Sequence, residues 1–84
     1  MYYWVYILRS CTGERYYVGS TDELEKRIAE HNGPHARWTK RFQPWVLVHS
    51  ERFATRGEAM TRERQLKSLK GIARHLEAVQ RGDV

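Results

Sequence analysis

The sequence predicts an α+β fold, a three-stranded, mostly antiparallel sheet flanked by helices in the order β-β-α-β-α-α. Three observations carry this. Residues 2–9 are rich in aromatic and β-branched side chains, and a second such run follows a polar turn at 15–19. Ser20 and Thr55 each precede an acid by three residues, the capping-box form that opens a helix. Three short strands cannot hide both faces of a sheet alone, so helices must cover it.

In chain order, residues 2–9 make the first strand and Cys11-Thr12-Gly13-Glu14 the turn. Residues 15–19 return as the second strand of an antiparallel hairpin. Ser20 and Glu23 open a helix that runs to about Asn32, where Asn32-Gly33-Pro34 stops it. Residues 33–44 read as a long polar loop, and Trp45 to Arg52 alternates enough for a third strand. Thr55 and Glu58 open a second helix through about Lys70. Gly71 breaks it, and Ile72 to Gln80 make a terminal helix whose Leu76 and Val79 can dock on the rest.

The chain has 84 residues, the size of one domain spanning 1–84, with a thin core. Ten aromatic side chains help, because each large ring buries about 150–250 Å². The net charge of +5 favours a polyanionic partner, most simply nucleic acid. One cysteine, Cys11, forbids an internal disulfide, and in a polar turn with no neighbouring base it reads as a bystander. The four histidines are scattered and show no zinc-type spacing. Nothing resembles a signal peptide, and no apolar run reaches the roughly 18 residues of a membrane span. The expectation is a soluble cytoplasmic protein with no membrane partner.

Two helices carry polar residues where apolar ones belong. Leu24, Arg27, Ile28 and His31 share one face of the first helix by their spacing. On the second, Ala59, Met60, Leu66 and Leu69 mark the apolar side, and Glu63 falls within that arc. Each has an ordinary explanation. Arg27 can snorkel, Glu63 can pair with an arginine on the sheet, and His31 can hydrogen-bond near its helix end. Taken together, one carboxylate, one arginine, one histidine and several tyrosines converging on one sheet surface make a set of parts for phosphodiester hydrolysis. A carboxylate can hold a divalent cation, and Mg²⁺ keeps most of its waters, so one protein ligand suffices. An arginine donates paired hydrogen bonds to phosphate oxygens. Histidine or tyrosine can take the proton of water, although a tyrosine base needs a nearby cation to lower its pKa.

Val5-Tyr6-Ile7 and Tyr17-Val18-Gly19 resemble the two halves of the GIY-YIG nuclease signature, with Trp4 standing where the first half begins its glycine. Arg27 on the following helix is similar to the family's arginine, His31 to a position that is histidine or tyrosine, and Glu63 to the family's metal-binding glutamate. The likeness runs from Tyr3 to about Val79 and is greatest to small stand-alone bacterial members. It implies catalytic roles for Tyr6, Tyr17, Arg27, His31 and Glu63, and a single Mg²⁺ or Mn²⁺ on Glu63. The implied activity is DNA cleavage in repair, recombination or processing. Arg27 would hold a non-bridging oxygen, and Tyr6 or Tyr17 would activate water, with Tyr6 favoured and His31 assisting. The asparagine some members use late in the domain has no counterpart after Asn32. Tyr16 should pack on the opposite face from Tyr17, because strand side chains alternate.

Residues 35–42 combine cations with aromatics, which suits a strand-binding loop. Arg37, Trp38, Lys40 and Arg41 are its candidate nucleic-acid contacts, with Lys67 on the second helix. The competing role for Trp38 or Phe42 is closure over the core. DNA is the expected partner, and RNA stays open. The rival readings are a non-catalytic nucleic-acid-binding module of the same fold, and an adaptor whose protein partner supplies specificity. Nothing in the sequence sets the oligomeric state.

Overall fold

The computed structural model describes residues 1–12 and 15–67, and of Trp38 only the backbone. The elements are β1 (Tyr3–Ser10), β2 (Tyr16–Thr21), α1 (Leu24–His31), a short 3-10 turn (Trp38–Phe42), β3 (Trp45–Phe53) and α2 (Arg56–Leu66). The sheet is antiparallel with strand order β2-β1-β3. The expected β-β-α-β-α order and α+β class are therefore present. The terminal helix expected at 72–80, with Leu76, Val79 and also Leu69, lies outside the described residues.

The central strand explains the layering. Val5, Ile7, Tyr6 and Leu8 are all buried, and successive strand residues face opposite ways. Val5 and Ile7 pack with Val18, Ala59 and Leu66, so α2 covers one face. Tyr6 and Leu8 pack with Trp45, Tyr17, Leu24, Ile28 and Phe42, so α1 covers the other. Phe42 thus takes the core role, edge-on to Trp45 with ring centroids 6.3 Å apart.

Several local expectations are corrected. The Ser20–Glu23 capping box does not form. Ser20 is still in the ladder opposite Val5, and α1 starts at Leu24 with Glu23 as its N-cap and no side-chain cap bond. Thr21 Oγ1 instead accepts the Glu23 N–H at 3.0 Å, turning the chain out of the sheet. The second capping box does form. Thr55 Oγ1 accepts the Glu58 N–H at 3.2 Å and donates to its carboxylate at 2.8 Å. Met60 is half-exposed, because it lies about 100° around the helix from the buried Ala59. Tyr16 is exposed rather than packed, since it sits on the outermost strand near the hairpin turn.

Candidate active site

The hairpin register pairs Tyr6 with Gly19 and Leu8 with Tyr17, which turns both tyrosines towards α1. Their ring centroids are 6.2 Å apart. His31 ends α1 beside them, 4.4 Å from the Tyr17 ring centroid. Its Nε2 lies 3.0 Å from the Tyr6 hydroxyl and its Nδ1 3.1 Å from Thr39 Oγ1. The end of α1 is pinned from two sides. Asn32 accepts the Trp45 backbone N–H at 2.6 Å and donates to its carbonyl at 2.9 Å. Gln43 donates to the carbonyls of His31 and Gly33 at 2.9 and 2.7 Å. The Gln43 bond to His31 satisfies a carbonyl that the helix end leaves open, and together these bonds hold His31 in place.

Tyr6 is 1% exposed. Burial first, then the Tyr17 hydroxyl, push its pKa well above the ordinary phenol value; Arg27 works against the rise, and Glu63 and Glu30 add to it. Tyr6 therefore keeps its proton, and both Arg27 and Glu63 act on it electrostatically. Burial, followed by the Arg27 charge, moves the His31 pKa below 6.5, with Glu30 opposing. His31 is neutral at pH 7, with one ring nitrogen free to accept. The acid limb of any activity that needs neutral His31 is expected to have its midpoint below 6.5. A pH–rate profile checks this, and a midpoint at or above 6.5 would remove His31 from that role. Stability carries the same sign. The unfolded chain takes up the proton first, so His31's contribution is lost as pH falls from about 6.5 towards the lowered value.

Glu63 corrects the expectation of one shared sheet surface. It rides on α2, on the face opposite the tyrosines, because alternation in β1 demands a helix on each side. The two faces nevertheless meet at the edge of the sheet. Ser20, on the α2 face of β2, hydrogen-bonds Glu63, and its neighbour Gly19 lies against Tyr6. Burial alone would raise the Glu63 carboxyl, but hydrogen bonds from Lys67 and Ser20, with the lysine charge, hold it below its ordinary value. Its side chain is 20% exposed, with Lys67 Nζ at 2.6 Å. Among the described residues no group of three or more His, Cys, Asp or Glu gathers as a metal site. An ionised, partly accessible carboxylate can serve as one ligand of a largely hydrated Mg²⁺ or Mn²⁺, in competition with the Lys67 ammonium.

Arg27 sits between two clefts. One, of about 770 Å³, includes Tyr17, Arg27, His31 and Thr39 with the cations Lys26 and Arg37. The other, of about 80 Å³, includes Arg27, Ser20, Asp22 and Arg56. The Arg27 guanidinium is half-exposed and rests on Glu30 at 3.4 Å, a surface pair weak enough to yield to a phosphate. It can therefore serve either cleft.

The structure brings Tyr6, Tyr17 and His31 together on the α1 face, with Arg27 lining the cleft beside Tyr17 and His31, and it places Glu63 on the other face of the sheet. Of the expected nucleic-acid contacts, Arg37 lines the larger cleft, and Lys40 and Arg41 are exposed on the 3-10 turn. Lys67 is spent on Glu63, and the Trp38 side chain lies outside the described structure. Sequence reasoning missed Thr39, Ser20, Lys26 and Arg56. Ser20 follows the Tyr17-Val18-Gly19 segment directly, a signal that its assignment to a helix cap concealed.

A model of the GIY-YIG catalytic domain matches residues 2–75. The chain belongs to the GIY-YIG family. This nuclease superfamily accounts for the hairpin tyrosines and for the helices that follow them. A UPF0213 protein of Natronomonas pharaonis is 46% identical over 68 residues, covering 80% of this chain and 79% of its own length. Another, from Staphylococcus haemolyticus, is 43% identical over 67 residues, covering 79% and 80%. The solution NMR structure of a UPF0213 protein from Bacillus halodurans superposes with a TM-score of 0.56 at 31% identity, covering 98% of this chain and 87% of that one. The GIY-YIG relatives are thus small chains of matching extent. Among the described residues, no helix is long and apolar enough to cross a membrane.

Proposed function

We propose that this GIY-YIG chain is a metal-dependent endonuclease that hydrolyses DNA phosphodiesters, working in repair, recombination or processing. The observation supporting this is the approach at the Gly19–Ser20 edge: the Tyr6–His31 pair comes from one face, the Glu63 carboxylate from the other, and Arg27 lines one cleft with Tyr17 and His31 and another with Ser20.

Glu63 would hold one Mg²⁺ or Mn²⁺, which supplies charge neutralisation at the scissile phosphate. Arg27 leaves Glu30 and donates to a non-bridging oxygen. Tyr17, at the cleft wall, orients the attacking water. The Tyr6 oxygen takes the water proton while its own passes to His31 Nε2, so a buried phenolate never accumulates. The resulting hydroxide forms the new P–O bond as the bond to the 3′ oxygen breaks, and the departing oxygen takes a proton from solvent water. Lys26, Arg37, Lys40 and Arg41 hold flanking phosphates.

The test is nicking of supercoiled plasmid with Mg²⁺, with Mn²⁺ and with EDTA, beside an RNA substrate. We expect nicking that EDTA abolishes. One observation favours the rival module that only binds nucleic acid and works with a partner: Lys67 already neutralises Glu63. Salt-sensitive binding without cutting in either metal would establish that module instead.

A further inference from the structure

We propose that Thr39 is a positioning residue of this site, its hydroxyl holding the proton of neutral His31 on Nδ1 so that Nε2 faces Tyr6 as an acceptor. The inference rests on the nuclease reading for its catalytic consequence but not for its geometry. A neutral imidazole has one N–H and one lone pair. His31 has a hydroxyl at each nitrogen, Tyr6 at Nε2 and Thr39 at Nδ1. Two arrangements satisfy both bonds. In one, Tyr6 donates to Nε2 and Nδ1–H donates to Thr39. In the other, Thr39 donates to Nδ1 and Nε2–H donates to Tyr6.

The chemistry of the two hydroxyls separates them. A phenol, with a reference pKa near 10, is far more acidic than an aliphatic alcohol, so it is the better donor and the poorer acceptor. The arrangement with Tyr6 donating and Thr39 accepting is therefore favoured. Only this one lets Tyr6 pass its proton to His31.

Thr39 is built for the task. It is almost fully buried, and its carbonyl accepts the Trp45 indole N–H at 2.7 Å. Trp45 is itself in the core and is gripped by Asn32, the residue after His31. The residue that receives the imidazole proton is thus fastened to the same framework that ends α1. A proper partner on the far nitrogen fixes both tautomer and ring orientation.

The readout is the protonation of the two ring nitrogens of His31, from long-range ¹H–¹⁵N correlation spectra of the full chain near pH 7.5, with H31Q identifying the resonances. We expect the proton on Nδ1 in the wild type, transfer of about half or more of it to Nε2 in T39V, and restoration in T39S. T39A gives the same readout if valine does not fold. A wild-type proton on Nε2, or no change in the Thr39 variants, overturns the proposal. In nicking assays T39V lowers kcat by about tenfold or more at unchanged KM, and T39S restores it. A chain that cuts nothing would defeat the nuclease reading while the spectra still decide the role of Thr39.

Discussion

Replacing Glu63 by glutamine abolishes metal-dependent nicking, by about 10³-fold or more, and leaves the fold in place. The Glu63 carboxylate, carried by α2, is an ionised oxygen donor beside Ser20. Several kcal/mol of transition-state charge stabilisation depend on a cation held there. About 4 kcal/mol corresponds to the stated factor. Glutamine keeps the shape and can still accept from Ser20, so thermal unfolding should move little. The side chain is partly exposed and its pair with Lys67 is of the i,i+4 kind, worth about 0.3–0.5 kcal/mol. Two measurements check this: plasmid nicking, and Mn²⁺ titration followed by calorimetry or water-proton relaxation. Equal cutting by both proteins would end the metal role of Glu63. Lost cutting with unchanged Mn²⁺ affinity would move the ion elsewhere.

Adding one methyl group at Gly19 should damage both fold and activity. A Cβ there would stand 2.6 Å from the Tyr6 hydroxyl oxygen, 2.8 Å from Cζ of its ring and 3.0 Å from the Tyr17 ring. Neither neighbour is the free end of a flexible side chain. Tyr6 is buried and tied to His31, and Tyr17 is wedged between His31 and Trp45. Overpacking of this kind costs about 1–3 kcal/mol. For Gly19→Ala we expect that loss in chemical denaturation. Nicking should fall by about 10²-fold even under conditions where the variant is folded, because displacement of the Tyr6 hydroxyl by about 1 Å spoils its alignment. Wild-type activity in a folded Gly19→Ala protein would mean that the Tyr6 position is irrelevant to the chemistry. The requirement is for space rather than for an unusual backbone angle, since no neighbour tolerates a side chain here.

The other glycine the sequence singled out in this region behaves differently. Gly33 follows α1 and would meet backbone carbonyl oxygens of α1 at 3.3 and 3.4 Å, tighter than ordinary contact but short of the overlap at Gly19. Both glycines read alike as letters. Only the packing around them shows that one shapes the site and the other the turn.

The local chemistry of the chain was sufficient for the strands and for both helices among the described residues, and it singled out five candidate side chains for the site. Strand runs are visible because aromatic and β-branched residues cluster in them. Glu63 and Arg27 are visible because they interrupt an apolar helical stripe. The Thr55 cap needs only residues three apart. The Ser20 cap had the same pattern and failed, because pairing with Val5 keeps Ser20 in the ladder and the strand outlasts the local signal.

What the tertiary structure decided is how these parts meet. Four consecutive buried residues in β1 force a helix onto each face, so Glu63 cannot share the tyrosines' surface and approaches the sheet from the other side, at Ser20. The engagement of Thr39 with His31, and of Asn32 with Trp45, joins residues whose spacing along the chain carries no periodic signal. Such contacts arise from the close packing of separate elements, which residue types and local spacing do not encode. The five candidates were therefore nameable from the sequence, and the division of Glu63 from the tyrosines between the two faces of the sheet was not.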